Sequence, residues 1–205
     1  MSNILFPKLN KPRVSISTFE PLIGMTIPGK DKNDTGHVGK WIHTWIQKQL
    51  QTSFPNLHQP DLQDFGIEIK SKDVESDSAY SICSMSLGNI LTKRYQQSNA
   101  FNKLQALLII DRNDNFRTIT NVELHYLDND NTQMLLEQSY IDARNKVVDE
   151  LEKQIRHNYG YKFKGYQVFS AEYADFETTQ YGRGFQFRIP YNKMQKLLAL
   201  NKNLS

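Results

Sequence analysis

Pro60-Asp61-Leu62-Gln63-Asp64-Phe65-Gly66-Ile67-Glu68-Ile69-Lys70 is the stretch from which the rest of the chain can be read. Residues 65–69 alternate as a strand does. Period two then places Glu68 and Lys70 on one face, with Ile67 and Ile69 on the other. Pro60 punctuates a loop, and Asp61 on that loop is free to turn back toward Glu68. Two convergent carboxylates suit Mg²⁺, a hard ion that prefers oxygen ligands. Such an ion polarises a phosphate and lowers the pKa of a bound water. A lysine beside it can orient or deprotonate the attacking water and stabilise transition-state charge. The plainer alternative is an edge strand carrying a solvated Glu–Lys pair.

Working outward, the N-terminal side holds an arm over residues 1–18, with scattered prolines and little periodicity. The short apolar Pro21-Leu22-Ile23-Gly24-Met25-Thr26-Ile27-Pro28-Gly29 follows, and residues 30–36 form a polar loop. Val38, Trp41, Ile42, Trp45, Ile46 and Leu50 then recur at threes and fours, which predicts an amphipathic helix over 37–52. After the charged stretch 70–77, strands are predicted over 79–87, 104–110 (buried on both faces) and 116–127. Good N-cap residues at 129–132 precede Leu136, Tyr140, Ala143, Val147, Leu151 and Ile155, which predict the longest helix over 133–158. Residues 159–181 read as strand and loop, 185–189 as a strand and 191–200 as a closing helix. Helices flanking a small mixed β-sheet make the fold class α/β or α+β.

The 205 residues suffice for one domain, or one domain with a small subdomain, with a core that needs no disulfide. A net charge of +3 permits nucleic-acid binding without arguing for it, because a local basic cleft matters more than the total. The single cysteine, Cys83, excludes an intrachain disulfide and suggests a reducing compartment. With no apolar run behind the N-terminal basic residues and none of spanning length, the expectation is a cytoplasmic chain with no membrane partner.

The chain resembles the PD-(D/E)XK nucleases, and within them the branch of MutH-like mismatch-repair nickases and type II restriction endonucleases. Asp61 to Lys70 is similar to the motif "DxxxLGVELK", with the same Asp–Glu–Lys spacing. Phe101-Asn102-Lys103-Leu104-Gln105-Ala106-Leu107-Leu108 is similar to "RHKLxRVLW", which supplies a second active-site lysine, here Lys103. Pro21 to Thr26 is similar to the "LAGLTL" lead-in, and Gly36 to His43 to the helix start "KGxVGxxxE". Gly182 to Arg188 is similar to "GxYLQIR", whose arginine reads guanine, here Arg188; a bidentate arginine suits that base. The likeness covers 21–110 and 178–200 well and 112–177 poorly.

The resemblance implies a restriction-endonuclease-like core in a single endonuclease domain, 1–205. Within it, 21–110 is the catalytic core and 112–200 the candidate DNA-recognition part. The implied catalytic residues are Asp61, Glu68, Lys70 and Lys103, with His43 as a helper, and the implied metal residues are Asp61, Glu68 and Ile69. His43 stands where the family has a glutamate, and an imidazole accepts a hydrogen bond without supplying a carboxylate's charge. Arg188, Lys193, Arg183, Lys93 and Arg94 are candidates for base or phosphate contact. The implied activity is site-specific cleavage of double-stranded DNA with Mg²⁺, or Mn²⁺ in its place. A restriction–modification system adds a cognate methyltransferase as partner, and a palindromic site suits a two-fold homodimer. A mismatch-repair-type nickase, an RNA- or structure-specific nuclease, and a non-catalytic DNA-binding module of the same fold are the alternatives.

Other patterns carry less. Gly24 to Asp31 fits Gly-x₄-Gly-Lys, but Asp31 stands where Ser or Thr should be, so a P-loop is rejected. His37, His43, His58, His125 and His157 lack zinc spacing. Trp41 and Trp45 read as core. Tyr159, Tyr161, Phe163, Tyr166 and Phe169 also read as core, although Lys162 and Lys164 among them admit a DNA contact.

Overall fold

The structure is a computed structural model, and it describes residues 6–7, 10–29, 35–52, 59–113, 117–156, 163, 166–179 and 184–204. In chain order its elements are α1 (Thr35–Leu50), β1 (Ile67–Asp73), β2 (Tyr80–Met85), α2 (Leu87–Thr92), α3 (Asn99–Lys103), β3 (Ala106–Asn113) and β4 (Thr118–Tyr126). They continue with α4 (Asp130–Arg156), β5 (Val168–Ser170), β6 (Asp175–Thr178), β7 (Phe185–Ile189) and α5 (Tyr191–Leu204). The architecture is mixed α/β, in two compact units that interleave along the chain. One unit is Leu9–Ser76 with Lys103–Leu127; the other is Met1–Lys8 with Asp77–Asn102 and Asp128–Ser205.

In the first of these units β1, β3 and β4 form a mixed sheet in the order β1-β3-β4, with β1 parallel to β3 and β3 antiparallel to β4. A parallel pair needs a long crossover, and here the crossover contains β2, α2 and α3. Period two gives the sheet one apolar face. Ile67, Ile69, Ala106, Leu108, Ile110 and Val122 pack there with Ile42 and Ile46 of α1. Ile42 and Ile46 are fully buried, and each contributes roughly 2–3 kcal/mol by leaving water. Trp41 and Trp45 are partly buried against the same cluster, as expected of core aromatics. Leu107 and Ile109 on the other face of β3 are buried too, so its Leu/Ile run is buried on both faces.

The N-terminal lead-in is tied to β4. Thr26 bridges Thr118, and the N–H of Ile27 donates to the Arg117 carbonyl at 2.7 Å. Gly24, at φ 82°, makes the turn that allows this. Part of the expected arm is also anchored: the Val14 N–H donates to the Tyr126 hydroxyl at 2.7 Å, and the Arg13 guanidinium lies 4.5 Å from the centre of that ring.

The other unit holds an antiparallel sheet, order β2-β7-β6-β5, with α4 and α5. Its core is aromatic: Tyr140 of α4 lies 5.3 Å from Phe176 and 5.7 Å from Phe187, and Tyr95 packs on Tyr140 and Phe101. Asn129 caps α4, its side chain accepting from the Thr132 N–H at 2.8 Å. Phe163 and Phe169 are core residues as expected, whereas Tyr166 is exposed. Cys83 is buried on β2. Among the described residues no helix is long and apolar enough to cross a membrane.

Several boundaries differ from those predicted. The strand of the Glu-X-Lys motif starts at Ile67, two residues later than read, and continues to Asp73, into the stretch read only as charged. The helices α2 and α3 were not expected. With six and five residues they are too short to display a period. Of the expected 30–36 loop, residues 35 and 36 belong to α1 instead, while 30–34 lie outside the described residues, as do His58, His157, Tyr159, Tyr161, Lys162, Lys164 and Arg183.

Candidate active site

β1 is an edge strand, and the loop before it folds back along its open side. Leu62 and Ile67 exchange both backbone hydrogen bonds, at 2.8 and 3.3 Å. Gly66, at φ 68°, makes the reversal, a conformation glycine adopts without steric cost. Two residues further along, the N–H of Ile69 donates to the Asp61 carboxylate at 2.8 Å. One carboxylate thus blunts the open edge and is fixed beside the strand that carries Glu68. In an extended strand the N–H and C=O of one residue leave on the same side. The Ile69 carbonyl therefore points to the open edge that Asp61 occupies.

Glu68 lies on the opposite side of the pleat from Ile67 and Ile69 and is only 1% exposed. Its Oε1 accepts from Lys70 Nζ at 2.6 Å and from Lys103 Nζ at 3.0 Å, and its Oε2 also accepts from Lys103 at 3.0 Å. Burial is the largest influence on this carboxyl and pushes its pKa up. Lys70 pulls it down, the Asp61 carboxylate raises it, Lys103 lowers it, and the balance is upward. Lys103 arrives from far along the chain for a topological reason. Because β3 runs parallel to β1, with Ile67 beside Ala106, the residues just before β3 enter at the Glu68 end of β1.

His43 projects from α1 with Nε2 3.7 Å from Asp61 Oδ2, beyond a direct hydrogen bond, and its side chain is 29% exposed. Asp61, Glu68, Lys70, Lys103 and His43 are therefore gathered in one unit.

The donor set suits a hard divalent cation. Asp61 and Glu68 offer carboxylate oxygens and Ile69 a carbonyl, and Mg²⁺ characteristically takes one or two carboxylates together with substrate oxygens. Among the described residues no group of three or more His, Cys, Asp or Glu side chains is arranged to hold a metal. A cation held there by two carboxylates would keep several waters.

The strand extension places a further lysine on the face of Glu68 and Lys70. Lys72 is 7% exposed and donates to the Ser76 carbonyl. Across the sheet that face continues through Asp111, Asn121, Glu123 and His125. His125 Nε2 lies 2.7 Å from Glu123, and the Asn121 amide donates to both Glu123 and Asp111. Sequence reasoning did not single out this row. The signal was available in the continued period-two spacing of Glu68, Lys70 and Lys72.

The candidate recognition residues belong to the other unit. Arg188 of β7 pairs with Glu177, and its Nε is 4.0 Å from Asp175; Lys193 donates to Asp175 at 2.6 Å and to the Ala171 carbonyl. Asp175, nearly fully buried, is thus the hub that brings Arg188 and Lys193 together. Lys93 ends α2 half-buried, with its carbonyl accepting from the Tyr140 hydroxyl, and Arg94 is exposed beside it. Arg183 is outside the described residues. No model of a known protein family matches this sequence, and neither does any curated protein.

Proposed function

We propose that this chain is a sequence-specific, Mg²⁺-dependent DNA endonuclease with a restriction-endonuclease-like core and a PD-(D/E)XK site, working as a type II restriction enzyme. The observation that carries the reading is that Lys70 and Lys103 both close on Glu68, while Asp61 is fixed to the N–H of the next residue, Ile69. In this reading Asp61, Glu68 and the Ile69 carbonyl hold the cation, which when bound supplies Lewis acidity to the scissile phosphate. Lys70 aligns the attacking water, or deprotonates it after first giving up its own proton. Lys103 donates to a non-bridging phosphate oxygen, where charge builds in the transition state. His43 stands close enough to Asp61 to steady it or a water beside it. Arg188, steered by Glu177 and Asp175, is the guanine reader, with Lys193, Lys93 and Arg94 on phosphates. The partners are double-stranded DNA, a second copy of the chain on a palindromic site, and a cognate methyltransferase that protects the sequence cut.

The test is incubation of varied unmethylated duplex DNAs with Mg²⁺ or Mn²⁺ and with EDTA, comparing wild type with Lys70→Ala. Discrete fragments from wild type alone, abolished by EDTA, are the expected result. Absence of cutting across varied DNAs with either ion would overturn the catalytic assignment and leave a non-catalytic DNA-binding module.

A further inference from the structure

We propose that Lys70 and Lys103 hold the cation site of the free protein closed, and that a DNA phosphate opens it by drawing both ammonium groups off Glu68. The inference rests on the nuclease reading above and adds an order of assembly to it.

Asp61 and Glu68 contribute two negative charges, and Lys70 and Lys103 two positive ones, so the free site carries no deficit for a divalent cation to fill. Geometry sharpens this. Glu68 is 1% exposed, and both its oxygens already receive lysine protons, at 2.6 and 3.0 Å. A cation approaching Glu68 competes with two ammonium groups that are themselves largely shielded, with side chains 17% and 12% exposed. Shielded pairs of this kind are weakened less by solvent than exposed ones.

A phosphate changes the balance. It brings negative charge and strong acceptor oxygens, and a lysine ammonium on a flexible four-carbon stem can swing to it without backbone movement. Once the two lysines turn to the phosphate, Glu68 recovers free lone pairs and the site regains a negative charge. Cation and DNA then bind with positive coupling, and linkage makes that coupling reciprocal. A nuclease built this way carries little bound cation until nucleic acid is in place.

The experiment titrates Mn²⁺ into DNA-free protein, following free Mn²⁺ by electron paramagnetic resonance. Wild type, Lys103→Met and Lys72→Met are compared, and wild type is titrated again with a short mixed-sequence duplex in the presence of Ca²⁺, to read the coupling by calorimetry. Methionine keeps the alkyl stem and removes the charge. Lys72 is the control, because it shares the strand face but donates to the Ser76 carbonyl. Lys103→Met is expected to bind Mn²⁺ roughly tenfold more tightly than wild type, the scale of one partly shielded ion pair released. Lys72→Met should change less than about twofold, as expected for loss of a charge that only acts at a distance. Should Lys103→Met fail to fold by circular dichroism, Lys70→Met takes its place with the same expectation. An unchanged or weaker affinity in the lysine variant overturns the proposal, as does an equal gain in Lys72→Met, which would be a bulk charge effect. Tight Mn²⁺ binding by DNA-free wild type would sink the closed site while leaving the nuclease reading intact. Failure of every protein to bind the ion, with or without duplex, would remove both.

Discussion

Asp61 does two separable things, and paired substitutions should pull them apart. Its carboxylate accepts the Ile69 N–H at 2.8 Å, pinning the loop to the open edge of β1, and it is also a proposed cation ligand. A hydrogen bond to a charged group contributes about 1.5–3 kcal/mol. The Asp61 side chain is 18% exposed, so water can recover part of that. Asp61→Ala should therefore destabilise by about 1–2 kcal/mol, whereas Asp61→Asn, which keeps a neutral acceptor, should lose about half as much. For a chain of this length, each kcal/mol moves Tm by roughly 2–4 °C. Calorimetric melts in EDTA should thus rank wild type, Asn, then Ala, with Ala roughly 2–8 °C below wild type. Cleavage should behave differently. Both variants remove the charge, so both should lose about a hundredfold or more in rate. Equal melting temperatures for Ala and Asn would refute the structural half of the argument. Near wild-type cleavage by Asp61→Asn would refute the catalytic half.

Three further outcomes can be stated. Gly66→Ala forces a side chain into φ 68°, and should lower stability by about 1–2 kcal/mol in urea unfolding. An unchanged midpoint would mean that the turn is not left-handed in solution. Burial raises the Glu137 pKa above 4.5, so its contribution to stability is full below the unfolded value and lost as pH rises through the folded one. Glu137→Gln should therefore gain in Tm over wild type as pH rises above 4.5, and a gain that shrinks as pH rises would contradict the sign. Asp175→Ala takes the carboxylate from Lys193, leaving it the Ala171 carbonyl, and removes the more distant of the two carboxylates beside Arg188, and should cost about 2–4 kcal/mol, measured by the denaturation midpoint. A neutral result would mean that water replaces the carboxylate there.

What could be read without coordinates was local. The three-and-four spacing of Val38, Trp41, Ile42, Trp45 and Ile46 marked α1, and the alternation around Glu68 put Glu68 and Lys70 on one face, because helix and strand periods act over a few residues. The continuation of β1 through Lys72 and Asp73 was not read, although the spacing of Glu68, Lys70 and Lys72 carried it, since a run of charges has no apolar alternation to mark a strand. They are strand because β3 lies parallel alongside with Lys70 beside Ile109. Lys103 came from motif resemblance alone. Its contact with Glu68 follows from the parallel register, which joins residues separated by a whole crossover and leaves no trace in local spacing. Likewise nothing near Arg188 or Lys193 announced Asp175 as their shared partner. That pairing is set by the antiparallel register of β6 and β7 and by the start of α5. The type of each element was therefore a property of neighbouring residues. The site's charge balance belongs to the sheet, because only strand pairing decides which distant charges share one low-dielectric pocket.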